Sequence, residues 1–360
     1  MNLQEPALSV EQQCKEAVDL LQQLIAIPSY SKEESGSADL IEAYLSERDV
    51  EVHRIKNNVW ARNRYYDENK PTILLNSHHD TVKPNAGYTI DPFGAMIDDG
   101  KLYGLGSNDA GGALVSLMHT FLFFNQRSGL RYNLVFAATA EEEISGSDGI
   151  QLILPSLGKI DFAIVGEPTQ MNMAVAEKGL MVLDCVVRGK SGHAAREEGE
   201  NAIYKALADI EWFRNFRFPR QSEFLGPVKM SVTMIKSGSQ HNVVPDRCEF
   251  TVDVRTTDAY TNFETFRIIQ EHVGCEVVAR SLRLSPSAIS PEHPLVKAGI
   301  SLGRTCYGSP TLSDQALMEF ESVKIGPGDS ARSHAADEFI YLDEITEGIR
   351  TYIKLLEQLV

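Results

Sequence analysis

The sequence predicts an α/β protein interrupted by an inserted ferredoxin-like domain, and three observations carry that expectation. Short apolar runs at 72–75, 133–138 and 162–165 read as buried strands separated by segments of helical periodicity, the alternation of an α/β sheet. Each run stops abruptly at polar, chemistry-bearing residues, as strands do where their carboxyl ends open into a ligand crevice. Between 174 and 285 the pattern changes to β-α-β-β-α-β, the split βαβ order of ferredoxin-like domains. Residues 1–173 and 286–360 are therefore expected to form one domain, with 174–285 inserted into it.

Taken in order, Ala17, Val18, Leu20, Leu21, Leu24 and Ile25 have helical spacing and predict a first helix over 9–27, stopped by Pro28. A second helix is expected over 37–47, then two short strands at 51–55 and 58–61. The strand TILL (72–75) ends in Asn76-Ser77-His78-His79-Asp80, and the period of two places His78 and Asp80 on one face. On their own, His78, His79 and Asp80 read rather as residues that cap or close a polar loop, and only partners elsewhere in the chain reverse that. Residues 87–106 look loop-like, with turn signals at DPFG, DDG and GLG, and deliver Asp109 and two glycines into an apolar helix over 113–124. An isolated Asp there is ordinarily an N-cap. The strand at 133–138 runs into Glu141-Glu142-Glu143, which is either a solvated turn or a crowd of carboxylates that a cation would relieve. The strand at 162–165 runs into Gly166-Glu167.

In the inserted segment, strands are expected at 181–188, 228–236, 247–255 and 276–284, with helices at 200–216 and 262–272. Beyond it come helical segments at 295–302 and 312–320, a last strand at 323–325, a tight turn leading to His334, and an amphipathic helix over 342–359.

Composition excludes several classes. A chain of 360 residues with 43% hydrophobic content buries a substantial core. Its formal charge of −16 argues against nucleic acid or anionic membrane as partner. Cys14, Cys185, Cys248, Cys275 and Cys306 show no CxxC spacing and read as reduced thiols. The opening residues carry neither the basic nor the apolar region of a leader, and no apolar run has the length of a membrane span, so a cytoplasmic location is expected.

His78, Asp80, Asp109, Glu142, Glu143, Glu167 and His334 all follow core strands or loops of one domain, and such nitrogen and oxygen donors without thiolates suit two catalytic divalent metals. The runs HHDTVKP, GLGSNDAGG, ATAEEEISG, VGEPT and SHAADEF, in that order, resemble the signature of the M20 family of dinuclear zinc amidohydrolases and peptidases. The resemblance spans the whole chain. It implies a mixed-sheet zinc-peptidase catalytic domain with the insertion as lid and dimerisation domain, hence a homodimer. It further implies that His78 and Glu167 hold one metal, Glu143 and His334 the other, and that Asp109 bridges both. Asp80 would accept the second ring N–H of His78, which fixes the tautomer. Glu142 is left for proton transfer. The family usually has Asp where this chain has Glu141, which blurs which acid is the base.

The implied chemistry is attack on an amide by water that two metals activate, with Glu142 taking its proton and passing it to the departing amine. GKSGHA resembles the family's GxxGH segment and makes His193 the donor to the oxyanion, acting in the partner subunit's site; unaided, His193 reads as a loop histidine. SQHNVVP and VDVR match the family's anchor for a substrate carboxylate and supply Asn242 and Arg255. A surface arginine paired with Asp253 or Asp258 is the alternative for the latter. The phrases GKSGHAAR, SPTLSDQALM and ARSHAADEF look most like the acetylornithine deacetylase group, including relatives acting on N-succinylornithine or N-acetylcitrulline in arginine biosynthesis. Succinyl-diaminopimelate desuccinylase or a dipeptidase or carboxypeptidase of the family is the runner-up. A metal-stabilised binding protein is the non-enzyme alternative, disfavoured because it needs neither Glu142 nor His193. Zinc is the expected metal, with cobalt or manganese as substitutes.

Overall fold

The helical spacing near the start folds as α1 (Val10–Ile25), whose N-cap Ser9 accepts the Gln12 N–H. The computed structural model describes residues 9–360, so the opening residues read for a leader lie, through position 8, outside it. After α2 (Ser35–Ser46) come the antiparallel pair β1 (Val52–Ile55) and β2 (Asn58–Arg62), then β3 (Thr72–His78). The stretch expected to be loop contains β4 (Met96–Asp98) and β5 (Lys101–Tyr103). All three residues of β4 are exposed, so it leaves no hydrophobic alternation to detect. Next are α3 (Gly112–Asn125), β6 (Asn133–Thr139), α4 (Ile150–Leu157) and β7 (Phe162–Val165). An unforeseen strand, β8 (Met173–Glu177), is buried at all five positions and built largely of Met, Ala and Glu, which lack both alternation and strand propensity.

The chain divides into two compact units: one runs to Val175 and resumes over Ile289–Tyr307 and Ser313–Val360, and the other comprises Ala176–Ala288 with Gly308–Leu312. The smaller unit contains β9 (Gly179–Arg188), β10 (Gly192–His193), α5 (Ala202–Asn215), β11 (Lys229–Ser237), β12 (Val243–Val244), β13 (Arg247–Thr256), α6 (Asn262–His272), β14 (Glu276–Ala279) and β15 (Ser287–Ala288). Its main sheet has the order β11-β13-β9-β14 and is antiparallel throughout. Burial alternates strictly along β9, and Met181, Leu183, Cys185 and Val187 pack with Phe250, Val252 and Val254 against Ala206 and Phe213 of α5 and Ile269 of α6. The last of its expected strands stops at Ala279, well short of 284.

The chain then forms α7 (Pro294–Ser301), β16 (Cys306–Ser309), β17 (Glu321–Lys324), β18 (Phe339–Tyr341) and α8 (Leu342–Glu357). The expected helix at 312–320 is only a 3₁₀ turn, Asp314–Leu317.

In the larger unit the sheet runs β1-β2-β6-β3-β7-β17-β8, with β6, β3, β7 and β17 mutually parallel and the flanking strands antiparallel. All seven residues of both β3 and β6 are buried, as strands covered on both faces must be. Leu74, Val135 and Ala163 meet Ile150, Ile153 and Leu157 of α4 on one face. On the other lies α3, nearly all of whose residues are buried because α1 and α8 cover its outer side. A Cβ at Gly166 would meet Leu117 of α3 at 2.7 Å, so glycine there lets helix and sheet approach closely. No helix among the described residues is long and apolar enough to cross a membrane.

Candidate metal centre

Sheet register brings the candidate residues together. His78 is paired with Thr139 across β3 and β6, and Asn76 with Val165 across β3 and β7, so three parallel strands end side by side. The segments that leave them carry His78 and Asp80, Glu141 to Glu143, and Glu167. Asp109 arrives separately on Ser107–Gly111 with φ −119° and ψ 98°, while the N-cap of α3 is Gly111, so Asp109 does not cap that helix. His334 follows a 3₁₀ turn and has φ 59°, a left-handed conformation uncommon outside glycine.

Two groups of potential metal donors result, His78-Asp109-Glu167 and Asp109-Glu143-His334, the ligand atoms in each within 4.8 Å of one another. Asp109 belongs to both. Its Oδ1 lies 3.3 Å from His78 Nε2 and its Oδ2 3.8 Å from His334 Nε2. Glu167 Oε1 is 3.7 Å from His78 Nε2, and Glu143 Oε2 is 3.0 Å from His334 Nε2. One imidazole and carboxylates in each group, with no thiolate, form a hard to borderline donor set that fits zinc, cobalt or manganese. Glu142 stands in neither group, although its Oε2 is 3.9 Å from His78 Nε2.

Asp80 is fully buried and serves more than the histidine. His78 Nδ1 lies 3.0 Å from the Asp80 backbone carbonyl and 3.4 Å from its carboxylate, so main chain and side chain together orient the ring. The carboxylate also accepts the backbone N–H groups of Glu142 at 3.0 Å and Glu143 at 3.2 Å, and the Ser31 hydroxyl at 2.7 Å. Glu141, whose φ is 56°, turns its side chain away and accepts the Asp148 N–H. A Cβ at Gly146 would collide with that carboxylate, which accounts for the glycine. Glu141 thus faces the following turn, and Glu142 is the acid left facing the histidine.

The electrostatics of the site are set by its crowded carboxylates. Burial would lower the His78 imidazole, but Glu142, Asp109, Asp80 and Glu167 outweigh it and raise its pKa well above the ordinary value. The Glu143 hydrogen bond, with further attraction from Asp109, lifts His334 to about 9 against its burial. Burial first, then repulsion from Glu167, Asp314 and Glu143, drives Glu142 well above the usual carboxylate range despite His78. Carboxylates crowded this closely favour positive charge between them, which is what a divalent ion supplies.

In the smaller unit, β10 pairs with β12 so that His193 is opposite Val243, and the Ala194 N–H donates to the Asn242 carbonyl. His193 and Asn242 are therefore neighbours, both exposed. Arg255 on β13 donates through Nε and Nη2 to the two oxygens of Asp253, at 2.9 and 3.1 Å, the alternative pairing considered for it.

Two buried acids near the centre had no signal in the sequence. Asp314 accepts the Thr139 hydroxyl at 2.6 Å, and burial raises its pKa to about 6. Glu338 accepts the N–H groups of Asn108 and Asp109 at 2.8 and 2.9 Å and fixes the backbone that presents Asp109; burial and Asp109 raise it to about 8. Both sit within the stretches SPTLSDQALM and SHAADEF, yet nothing in residue type or spacing distinguishes them from surface acids.

Comparison with known proteins agrees with this geometry. The profile of peptidase family M20/M25/M40 matches residues 74–358. A succinyl-diaminopimelate desuccinylase of Ruegeria is 28% identical over 281 residues, 72% of this chain and 70% of its own. An acetylornithine deacetylase of Buchnera aphidicola is 26% identical over 356 residues, covering 90% of this chain and 92% of the relative. Among solved structures, the Bacillus subtilis YXEP protein, described as a dinuclear metal-binding peptidase of the M20 family, superposes with a TM-score of 0.72 at 18% identity, over 96% of this chain and 98% of its own. A mixed sheet with carboxylates and imidazoles gathered at its parallel strand ends, and a family profile matched from β3 to α8, place this chain in the M20 family of metallopeptidases and amidohydrolases.

Proposed function

We propose that this chain hydrolyses the amide of an N-acyl amino acid and releases the free amine, with N-acetyl- or N-succinyl-L-ornithine, or N-acetylcitrulline, as substrate in arginine biosynthesis. The observation that supports the reaction class is the pair of donor groups sharing Asp109, with Glu142 beside them and in neither. His78 and Glu167 would hold one divalent ion and Glu143 and His334 the other, with Asp109 common to both. Such ions, when bound, lower the pKa of a water and polarise the scissile carbonyl.

The protein's own groups do the rest. Glu142 accepts the proton of the attacking water at a carboxylate oxygen and delivers it to the departing nitrogen. Asp80 holds the His78 ring and the backbone of Glu142. His193 donates to the oxyanion in the active site of the partner subunit, within a cytoplasmic homodimer formed through the smaller unit. Asn242 and Arg255 receive the substrate carboxylate, Arg255 through its two-pronged fork.

The names of the relatives support both an acetylornithine and a succinyl-diaminopimelate reading. Amine release is therefore measured on zinc- or cobalt-loaded protein with N-acetyl-L-ornithine, N-succinyl-L-ornithine, N-acetyl-L-citrulline and N-succinyl-diaminopimelate, with Glu142→Ala as the blank. Turnover of one of the first three supports the proposal and identifies the acyl group. Turnover of the fourth alone moves the assignment to the desuccinylase reading. Silence on all four, with two metals bound, overturns the substrate class.

A further inference from the structure

Glu34, between α1 and α2, has no solvent exposure although it is a carboxylate in a connecting segment. Its partners explain the burial. Oε1 accepts the N–H of Lys32 at 2.6 Å and that of Glu141 at 3.2 Å, and Oε2 accepts the Asn57 side-chain amide at 2.8 Å. Behind it, the Asn57 carbonyl lies 2.8 Å from His79 Nε2, and His79 Nδ1 lies 2.8 Å from the Ser37 hydroxyl. A carbonyl only accepts, so the His79 proton is on Nε2 and Nδ1 accepts from Ser37. This second histidine of the HHD run thus faces away from the donor groups and braces the segment that carries Glu34.

The acid run is consequently held at three consecutive backbone positions: Glu141 N–H by Glu34, and Glu142 and Glu143 N–H by Asp80. The Glu34 bond falls on the residue directly before the proton-transfer group, where the chain takes a left-handed turn that a non-glycine residue keeps only when its surroundings hold it. We infer that Glu34 is a positioning residue for the reaction, fixing through the Glu141 N–H the turn that aims the Glu142 carboxylate. The inference rests on the reading of Glu142 as general base. The contribution of Glu34 is reach rather than charge, since what it supplies to the acid run is one acceptor oxygen at a defined place.

Two variants separate those contributions. Glu34→Gln keeps the length and the acceptor oxygen for Lys32 and Glu141 but removes the charge, its NH2 being met by the Asn57 amide turned over to present its oxygen; Glu34→Asp keeps the charge and withdraws the oxygen by about 1.5 Å. Positioning predicts kcat within about threefold of wild type for Gln and lowered about 10- to 100-fold for Asp, at similar KM and unchanged metal content, because misplacement by about 1 Å costs up to that much. It also predicts faster hydrogen exchange at the amides of 141–143 in Glu34→Asp, and not in Glu34→Gln. The opposite order of the two variants, or equal losses that track metal content or melting temperature, overturns the inference. If wild type turns over none of the N-acyl amino acids, the functional proposal fails, and the exchange measurement still decides whether Glu34 orders the acid run.

Discussion

Replacing Glu142 by Gln isolates proton transfer from metal binding more sharply than any other change. The amide preserves the shape of the carboxylate, but it cannot take a proton from water. Glu142 lies outside both donor groups, so each keeps its full set of ligands in the variant. General bases contribute typically about 10²- to 10⁴-fold, which at about 1.36 kcal/mol per decade places the loss at about 2.7–5.4 kcal/mol of transition-state stabilisation. The substitution also removes a carboxylate crowded by Glu167, Asp314 and Glu143, so the variant is expected to melt no lower than wild type. The assay measures kcat for amine release alongside metal content by atomic absorption. Glu142 must be ionised to act, so wild-type activity is expected to fall at acid pH, and the residual activity of Glu142→Gln to lack the limb that its protonation gives. Loss of bound metal in step with activity would make Glu142 a ligand, and near-normal kcat would remove it from the reaction; either result refutes the assignment.

Asp109→Asn is expected to weaken binding of both metals together, whereas His334→Ala is expected to weaken one; titration with cobalt followed by absorption spectroscopy distinguishes the two patterns. Mixing inactive His193→Ala with inactive Glu142→Ala protein is expected to restore part of the activity once subunits exchange, and no recovery despite exchange counts against action across a dimer. Arg255→Ala is expected to raise KM with a smaller effect on kcat, read from initial rates over a substrate series. Asp314 is raised to about 6 from 3.8, so its folded state holds its proton more tightly than its unfolded state. Stability is therefore lost as pH rises from about 4 to 6, on the order of 3 kcal/mol in all, and denaturant melts of chelator-treated Asp314→Asn should exceed wild type above pH 6 and converge with it below pH 4.

What the sequence revealed of the fold was whatever leaves a periodic trace or a continuous apolar run. The alternation in β9 and the helical spacing in α1 were readable because each has one face in a core and one outside. By contrast, β8 is buried on both faces but lacks the run of Ile and Leu that marks β3, and β4 is buried on neither face and has no alternation to see. The metal donors stood out because imidazoles and carboxylates directly after apolar strands are chemically conspicuous. Asp314, Glu338 and Glu34 were not, since each acts on backbone N–H or hydroxyl groups far away in sequence, and only the folded chain shows which donors those are. Arg255 looks the same in sequence whether it waits for a substrate or rests on Asp253.

The positions of the candidate donors along the chain set the order in which they are made during synthesis. His78, Asp109 and Glu167, with the parallel strands β3, β6 and β7 that align them, are all encoded before the chain enters its second unit. His334 comes only after that unit has been made and the chain has returned, near its C-terminus. The residues of one donor group are thus all made when the chain is about half synthesised, but Glu338, whose carboxylate holds the backbone that presents Asp109, is made only after His334, so both groups wait for nearly the whole polypeptide to be held in place. Asp109 and Glu143 are present throughout that interval, and a chain that stalls or is cut between the two stages lacks both His334 and the brace on Asp109.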